Sequence, residues 1–451
     1  MISLSLVSLY GRQNEYPIKH SLAAMRLASA ISDLEGLEVK LEGFPLDDPS
    51  EKIAEKILTK NYQIVGLSSY LWTRSKVSEI CRIISSRSPK TRLIIGGPEV
   101  VESSIDQNGL IYVAGEGEDS LKEIVLQYPN ISKVSRKLPS LKKGTPLFST
   151  EMLDMFNVSN PVERGFSWWE SSRGCPYECA FCGHRSDSLR QYKLATSKEE
   201  IKNMNKLGVR RIFAVDPIFG GTRKNGKDVL RIFGEYAPDI AIRAYMRPEF
   251  LDTDYINLLS KANIEALEIG IQTINPDVPR FIRSNDLGKI DSVLPQLRQN
   301  RIRWEAQLIT GLIGDTPQDH RESLRYVIEK LKPNQVYSYH LTVIRTTPLG
   351  SLTDKRQKLW IESDENNGRA LQSSSYSREE MTQMLRFGSA ITSLYNYLQQ
   401  TPSRSVDVYS LDALYKTARP IIESGDLEIS RALVMEDRHY LKNLWERLLG
   451  K

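Results

Sequence analysis

Three cysteines, Cys175, Cys179 and Cys182, fall within eight residues of the stretch SSRGCPYECAFCGHR (171–185), and the chain has only one other, Cys81. Thiolates are soft ligands suited to zinc or to iron–sulfur clusters. Structural zinc prefers four ligands that close the site. The candidates for a fourth are poor: His184 is tethered two residues from Cys182, and Cys81 shares an apolar helical face with Val77, Ile80 and Ile84, the place of a small core residue. A four-iron cluster held by three thiolates instead leaves one iron free to bind a substrate or cofactor. The loop is therefore expected to hold a metal centre with a working position.

The elements that must hold this loop can be read from periodicity. Residues 1–130 alternate strand and helix: ISLSLVSLY, EVKLEGF, IVGLSSYLW, RLIIGGPEV and LIYVAG are strand-like, with amphipathic helical stretches between them. Repeated βα units of this length imply a doubly wound parallel sheet of Rossmann type, whose ligands bind at the carboxyl ends of the strands. The turns SSYLW, GGPEV and GEGED belong to that edge. Residues 131–165, rich in Lys, Ser and Pro, read as a linker. From 166 to 349 the alternation returns. The strand candidates SWWESS, RRIFAVD, AIRAYMR, ALEIGIQ, RWEAQLITG and QVYSYHLTVI make about six βα units, a full or partial parallel barrel with its chemistry at strand ends. Residues 350–451 are expected to be mostly helical.

Composition bounds the rest. The chain has 451 residues, 40% of them hydrophobic and 26% charged, with a net charge of +5 spread along its length. Two or three domains are expected, with no basic block to suggest a nucleic-acid partner. No apolar run approaches the roughly 18–20 residues of a membrane span. The N-terminus lacks a basic n-region and a cleavage site and reads as a first strand. Four cysteines, three of them clustered, fit a reducing cytoplasm.

The Cys-x3-Cys-x2-Cys spacing, with Phe181 before the last cysteine and the lead-in SRGCPYECAFC, resembles the radical S-adenosylmethionine (SAM) superfamily. The resemblance implies a 4Fe-4S cluster on Cys175, Cys179 and Cys182, with SAM on the free iron, reductively cleaved to a 5′-deoxyadenosyl radical. It continues downstream. VDPIFGG (215–221) resembles the strand end near the SAM methionine group, which makes Asp216 and Gly220 candidates. YMRPEFLD (245–252) brings Arg247 and Glu249, LEIGIQTIN (267–275) brings Glu268 and Gln272, and ITGLIGDTPQD (309–319) resembles the turn that approaches adenine. One departure is plain: the superfamily's Gly-Gly-Glu appears here as Gly220-Gly221-Thr222, so a carboxylate contact there is lost.

A doubly wound domain ahead of such a barrel resembles the cobalamin-dependent branch. Ser68, Ser69, Tyr70 and Trp72 after the third strand, Gly96, Gly97, Pro98 and Glu99 after the fourth, and Gly115 and Glu116 after the fifth are the matching cobalamin-binding positions. The first loop, YGRQNEYP, has no histidine to ligate cobalt (His20 comes later), so Trp72 or Tyr70 is a candidate for its lower face. A dinucleotide is disfavoured, since Gly-x-Gly-x-x-Gly is missing after the first strand. The resemblance implies a methyltransferase that moves a methyl group from methylcobalamin to an unactivated carbon of a small molecule or peptide, with electrons from a flavodoxin- or ferredoxin-type donor. Ring rearrangement, cyclisation or transfer of another SAM fragment, with or without cobalamin, is the alternative. Tyr337, Tyr339, His340, Arg345 and Trp304 are candidates for a substrate pocket.

Overall fold

Apolar residues at 4, 6 and 7 are buried in β1 (Ile2–Tyr10), an interior strand of the first sheet. The computed structural model describes residues 1–11, 21–106, 109–134, 141, 146–148, 165–186, 188–365, 367–401 and 406–449. The loop YGRQNEYP beyond residue 11, His20 and most of the expected linker lie outside them. With β2 (Leu37–Pro45), β3 (Ile64–Ser68), β4 (Arg92–Gly96), β5 (Ser104–Ile105) and β6 (Ile111–Tyr112), β1 forms a sheet in the order β2-β1-β3-β4-β6-β5. All pairs are parallel except β5–β6. The two-residue antiparallel edge strand β5 had no periodic signal. Helices α1 (Leu22–Ala30) and α4 (Glu118–Gln127) pack together, as do α2 (Ser50–Leu58) and α3 (Arg74–Arg87). The second pair seals a core of Ile53, Ile57, Ile80 and Ile84 against Val65 and Leu67. Cys81 is part of that core, and burial pushes its thiol up to about 12, as its apolar face implies. Strand order reverses between β1 and β3, so the turn after β3 stands at the position where such sheets take ligands.

The second sheet is built from β7 (Phe166–Trp169), β10 (Arg211–Ala214), β11 (Ala241–Met246), β12 (Ile264–Gln272), β13 (Trp304–Thr310) and β14 (Gln335–His340), in the order β14-β13-β12-β11-β10-β7. The pairs β7–β10, β11–β12, β12–β13 and β13–β14 are parallel. A short pair, β8 (Ser172–Arg173) with β9 (Arg190–Gln191), brackets the cysteine loop in sequence. The connecting helices are α5 (Leu194–Lys206), α6 (Arg223–Tyr236), α7 (Thr253–Leu259), α8 (Leu287–Gln299) and α9 (Pro317–Arg325). This is the six-stranded parallel barrel sheet expected from the sequence. The C-terminal region carries α10 (Arg378–Gln400), α11 (Leu411–Ile422), α12 (Leu427–Val434) and α13 (Arg438–Leu449), and also a hairpin, β15 (Ile361–Ser363) with β16 (Ala370–Ser373), that the helical pattern hid. Among the described residues no helix is long and apolar enough to cross a membrane.

The chain divides into two compact units: 1–172 with 190–214 and 231–241, and 173–189 with 215–230 and 242–451. They group the chain differently from the boundaries at 130, 165 and 349, because β7 and β10 go with the first sheet. A buried charge cluster inside the first unit gives the reason. Arg26 of α1 donates from Nε to Glu170 Oε1 (2.8 Å), from Nη1 to Glu200 Oε1 (2.7 Å) and from Nη2 to Glu200 Oε2 (3.2 Å). Glu200 also accepts from Trp169 Nε1 (2.9 Å), and Glu170 from the Tyr192 hydroxyl (2.7 Å).

Candidate functional site

Cys175, Cys179 and Cys182 lie on the loop between β8 and β9, within the second unit. The loop is pinned at its middle residue: the Ala180 N–H donates to the Phe281 carbonyl (3.0 Å), and its carbonyl accepts from the Leu349 N–H (3.1 Å). Phe181 packs against the apolar cluster of Ile313, Leu341 and Leu349. Burial pushes the thiols of Cys175 and Cys182 up, and their mutual repulsion with Cys179 adds to this. Backbone N–H groups of Tyr177 and His184 pull the other way by hydrogen bonding to Cys175 and Cys182 respectively. His184 thus contributes its amide, while its side chain is exposed.

Two guanidiniums face Cys179. Arg247 Nη1 lies 3.8 Å and Arg283 Nη1 3.6 Å from its sulfur. Arg247 is clamped from several sides. Its Nε and Nη2 donate to the two oxygens of Glu249 (3.0 Å each), Nη2 also reaches the Ser284 carbonyl (2.7 Å), and the group lies 3.7 Å from the centre of the Tyr177 ring. Burial works against the Glu249 carboxylate, yet Arg247 outweighs it and holds its pKa below the usual range. Among the described residues Arg283 hydrogen-bonds only neutral acceptors beside the thiol, Asn285 Oδ1 (2.9 Å) and the Gly270 carbonyl, while the Glu249 carboxylate acts on it through space. Burial and the like charge of Arg247 pull its pKa down.

Among the described residues no three His, Cys, Asp or Glu side chains draw close enough to hold one metal ion. The donor set fits a multi-iron cluster instead, in which each thiolate binds a different iron. Amide N–H groups aimed at the sulfurs, and cations in excess of carboxylates, suit an anionic centre.

The other predicted positions sort by what they touch. Asp216 is fully buried, and its Oδ2 accepts from the Gly220 N–H (2.9 Å), while Asn225 Nδ2 donates to the Gly220 carbonyl (2.8 Å). It shapes the glycine turn from beneath. Gly220 has φ +80°, and a Cβ there would sit 2.3 Å from Gly226 Cα, so the turn admits no other residue. Glu268 spends its carboxylate on Arg243 Nε (2.6 Å) and Gln307 Nε2 (2.5 Å), and Arg243 also binds Glu305 (2.5 Å). Gln272 closes β12 at a register shift with φ +70°, a left-handed conformation that costs a non-glycine residue about 1 kcal/mol and is commonly kept at working sites.

At the first sheet's edge, the Ser69 N–H donates to the Gly96 carbonyl (2.7 Å), and the Glu99 N–H to the Ser69 carbonyl (3.3 Å). A Cβ on Gly97 would lie 2.6 Å from the Ser69 carbonyl oxygen. Gly97 is therefore required by this backbone approach, before any ligand is considered, while a Cβ on Gly96 would meet only the Val113 carbonyl at 3.8 Å. Glu99 pairs with Arg74 (3.1 Å), and Glu116 with Arg190. Ser68 ends β3, Pro98 follows the Gly97 turn, and Gly115 has φ +80°. Trp72 is 70% exposed and stacks on Tyr70, ring centres 4.9 Å apart at 12°.

Of the substrate-pocket candidates, Tyr337 and Tyr339 stack together, 6.0 Å between ring centres, under Arg438. Trp304 is buried at the start of β13, His340 donates from Nε2 to the Ala370 carbonyl (2.7 Å), and Arg345 reaches the Glu365 carbonyl (3.3 Å). Sequence reasoning missed Arg283. It sits in the turn FIRSN (281–285), which carries no motif, and only the fold brings it to Cys179.

The B12 binding domain family matches residues 16–125, and the Radical SAM superfamily matches residues 169–327. Over 387 residues the chain is 21% identical to the 2-(S-pantetheinyl)-carbapenam-3-carboxylate methyltransferase of Streptantibioticus cattleyicolor, covering 74% of this chain and 57% of that protein. It is 22% identical over 379 residues to the cobalamin-dependent radical SAM methyltransferase TokK of Streptomyces tokunonensis, covering 75% and 55%. The chain thus spans little more than half the length of these curated relatives. Among solved structures, the cobalamin-dependent S-adenosylmethionine radical enzyme OxsB with aqua-cobalamin bound matches with TM-score 0.67 at 16% identity, over 98% of this chain and 76% of that one. TsrM from Kitasatospora setae, with cobalamin and a 4Fe-4S cluster bound, matches with TM-score 0.62 at 17% identity, over 81% of each. At these identities the likeness is one of fold. A cysteine loop at a parallel strand end, preceded by a sheet of this strand order, agrees with both family matches: this chain carries a B12 binding domain ahead of a radical SAM domain.

Proposed function

We propose that this chain is a cobalamin-dependent radical SAM methyltransferase acting on a small-molecule or peptide substrate. One observation carries the reading: Cys179, in the loop of three thiols, faces two guanidiniums, and one of them, Arg283, hydrogen-bonds no carboxylate among the described residues. When bound, a 4Fe-4S cluster with SAM supplies the radical that removes hydrogen from an unactivated carbon, and methylcobalamin supplies the methyl group that replaces it. This chain's residues position and shield. Cys175, Cys179 and Cys182 hold the cluster. Arg247 and Arg283 offset its negative charge. Glu249 orients Arg247, and Asp216 fixes the Gly220 turn whose backbone faces SAM. Gln272, Glu268 and Phe181 complete the surroundings of SAM. In the first unit, Ser68, Ser69, Gly96, Gly97, Pro98, Glu99, Gly115 and Glu116 would hold the corrin, with the Tyr70–Trp72 stack beside it. Reducing equivalents come from an external flavodoxin- or ferredoxin-type protein.

Anaerobic reconstitution tests this. The expected protein retains about four irons through desalting, by the cluster type assigned, takes up a corrin, and cleaves SAM under strong reductant. Cys179→Ala is expected to lose iron and cleavage together. SAM left intact by a fully loaded cluster would overturn the enzymatic reading. Failure to take up a corrin would remove the cobalamin part alone.

A further inference from the structure

Strand β14 ends its sheet, so one side of its backbone has no strand beside it. Its outward groups belong to alternate residues, Val336, Ser338 and His340. The Val336 N–H donates to Asn396 Oδ1 (2.8 Å), and its carbonyl accepts from Asn396 Nδ2 (2.8 Å). The His340 N–H donates to Glu436 Oε1 (2.5 Å). Side chains from the helical region thus sheathe the edge on either side of Ser338. Among the described residues, nothing meets the outward N–H and C=O of Ser338 itself. They open on a cavity of about 150 Å³ between β14, α10 and α13.

The same cavity is lined by the hydroxyls of Ser389, Thr392 and Tyr397, which are 6%, 7% and 7% exposed and have no protein partner among the described residues. Arg438 stands at one end, 4.2 Å from the Tyr337 ring centre, with Glu436 beside it. These hydroxyls are not among the sealed-off unpaired side-chain atoms of the described residues, so they are open to the cavity, where a polar guest would meet them.

We propose that this cavity binds a small amide-bearing molecule, about one or two peptide units long, whose C=O accepts from the Ser338 N–H and whose N–H donates to the Ser338 C=O. A single residue of a neighbouring strand would make that pair of bonds, which is how sheet edges capture extended peptides. An apolar guest would leave the Ser338 backbone and three hydroxyls unpaired. A simple carboxylate would leave the Ser338 carbonyl unpaired and would face the Glu436 carboxyl group. The site uses none of the residues assigned to the cluster, SAM or cobalamin, and shares with the substrate-pocket candidates only Tyr337 among its lining residues.

The test is saturation-transfer NMR on the full chain, titrated with N-acetylglycine N-methylamide, with acetate and glycerol as controls. Saturable binding of the diamide is expected, and neither control should match it. Thr392→Trp, which fills the cavity, should abolish the signal. Should that variant fail to fold, Ser389→Val, which removes one hydroxyl, should weaken binding about threefold to tenfold, the worth of one hydrogen bond. Diamide binding that does not saturate, that survives both substitutions, or that acetate or glycerol equals would overturn the proposal.

Discussion

Two of the arginine clusters among the described residues are built on opposite principles. Around Arg26 every donor meets a carboxylate: Glu170 and Glu200 surround one guanidinium that is 5% exposed, and Glu200 also takes the Leu147 N–H (2.9 Å). Burial works against that charge, but the two carboxylates and Tyr192 raise the Arg26 pKa above its already high ordinary value. Around Cys179 the balance is reversed. Arg247 and Arg283 share one carboxylate, Glu249, and Arg283 is held by neutral oxygens and a thiol. A closed cluster ties secondary structure together. An open one stores positive charge for something that arrives with negative charge. The difference teaches which buried charges belong to the fold and which to a ligand.

The largest effect expected from breaking this contrast is at Arg26. Arg26→Met leaves Glu170 and Glu200 buried without a cation, and chemical denaturation should show a loss of about 3–5 kcal/mol. Adding Glu200→Gln should recover part of it. Arg283→Met should divide the other way: apo-protein stability moves by less than about 2 kcal/mol, while iron retention and SAM cleavage fall by about tenfold or more, as for lost contacts around a metal ligand. A collapse of stability with the cluster intact would make the two regions alike.

A third buried charge sharpens the comparison because it has no cation at all. Asp315 is 1% exposed, with Oδ1 accepting from Thr273 (3.0 Å) and Asn275 (3.2 Å) and Oδ2 without a partner. Burial pushes its carboxyl up to about 7. Between its unfolded value and 7, the unfolded chain has lost a proton that the folded chain keeps, so this group's contribution to stability falls as pH rises. Asp315→Asn keeps the accepting oxygen and removes that loss. The variant should match the parent near pH 4 and exceed it by about 2–4 kcal/mol at pH 8, read from denaturation midpoints at both pH values. The smallest effect on stability is expected at Trp72. Trp72→Ala should change it by less than about 0.5 kcal/mol, while the corrin retained through gel filtration drops.

Much of this was open to a reader of the sequence. Six barrel strands and five strands of the first sheet follow from apolar runs of period two set between helical stretches. The cysteine loop follows from spacing alone. The strand β5 was hidden because two residues cannot show a period, and β15–β16 because it interrupts a helical region. Arg26 lies 144 residues from Glu170 and 174 from Glu200, and no local pattern announces a charge pair at such range. Gly97 stands at a position that resembles a cobalamin-binding one, while its first duty is to admit the Ser69 carbonyl. Asp216 shows the same lesson: its motif position makes it a candidate beside the SAM methionine group, while in the structure its Oδ2 holds the Gly220 turn.

The Arg26 cluster also bears on modularity. The chain passes between its two compact units five times, at 172, 189, 214, 230 and 241, so no single cut frees a cassette. A chimera that exchanges only residues 1–130 with a relative would leave Glu170 and Glu200 without Arg26. The exchangeable part is larger and discontinuous: the first sheet together with β7, α5 and β10. In recombination and in protein engineering alike, this B12 binding domain is inherited with the first strands of the barrel it serves.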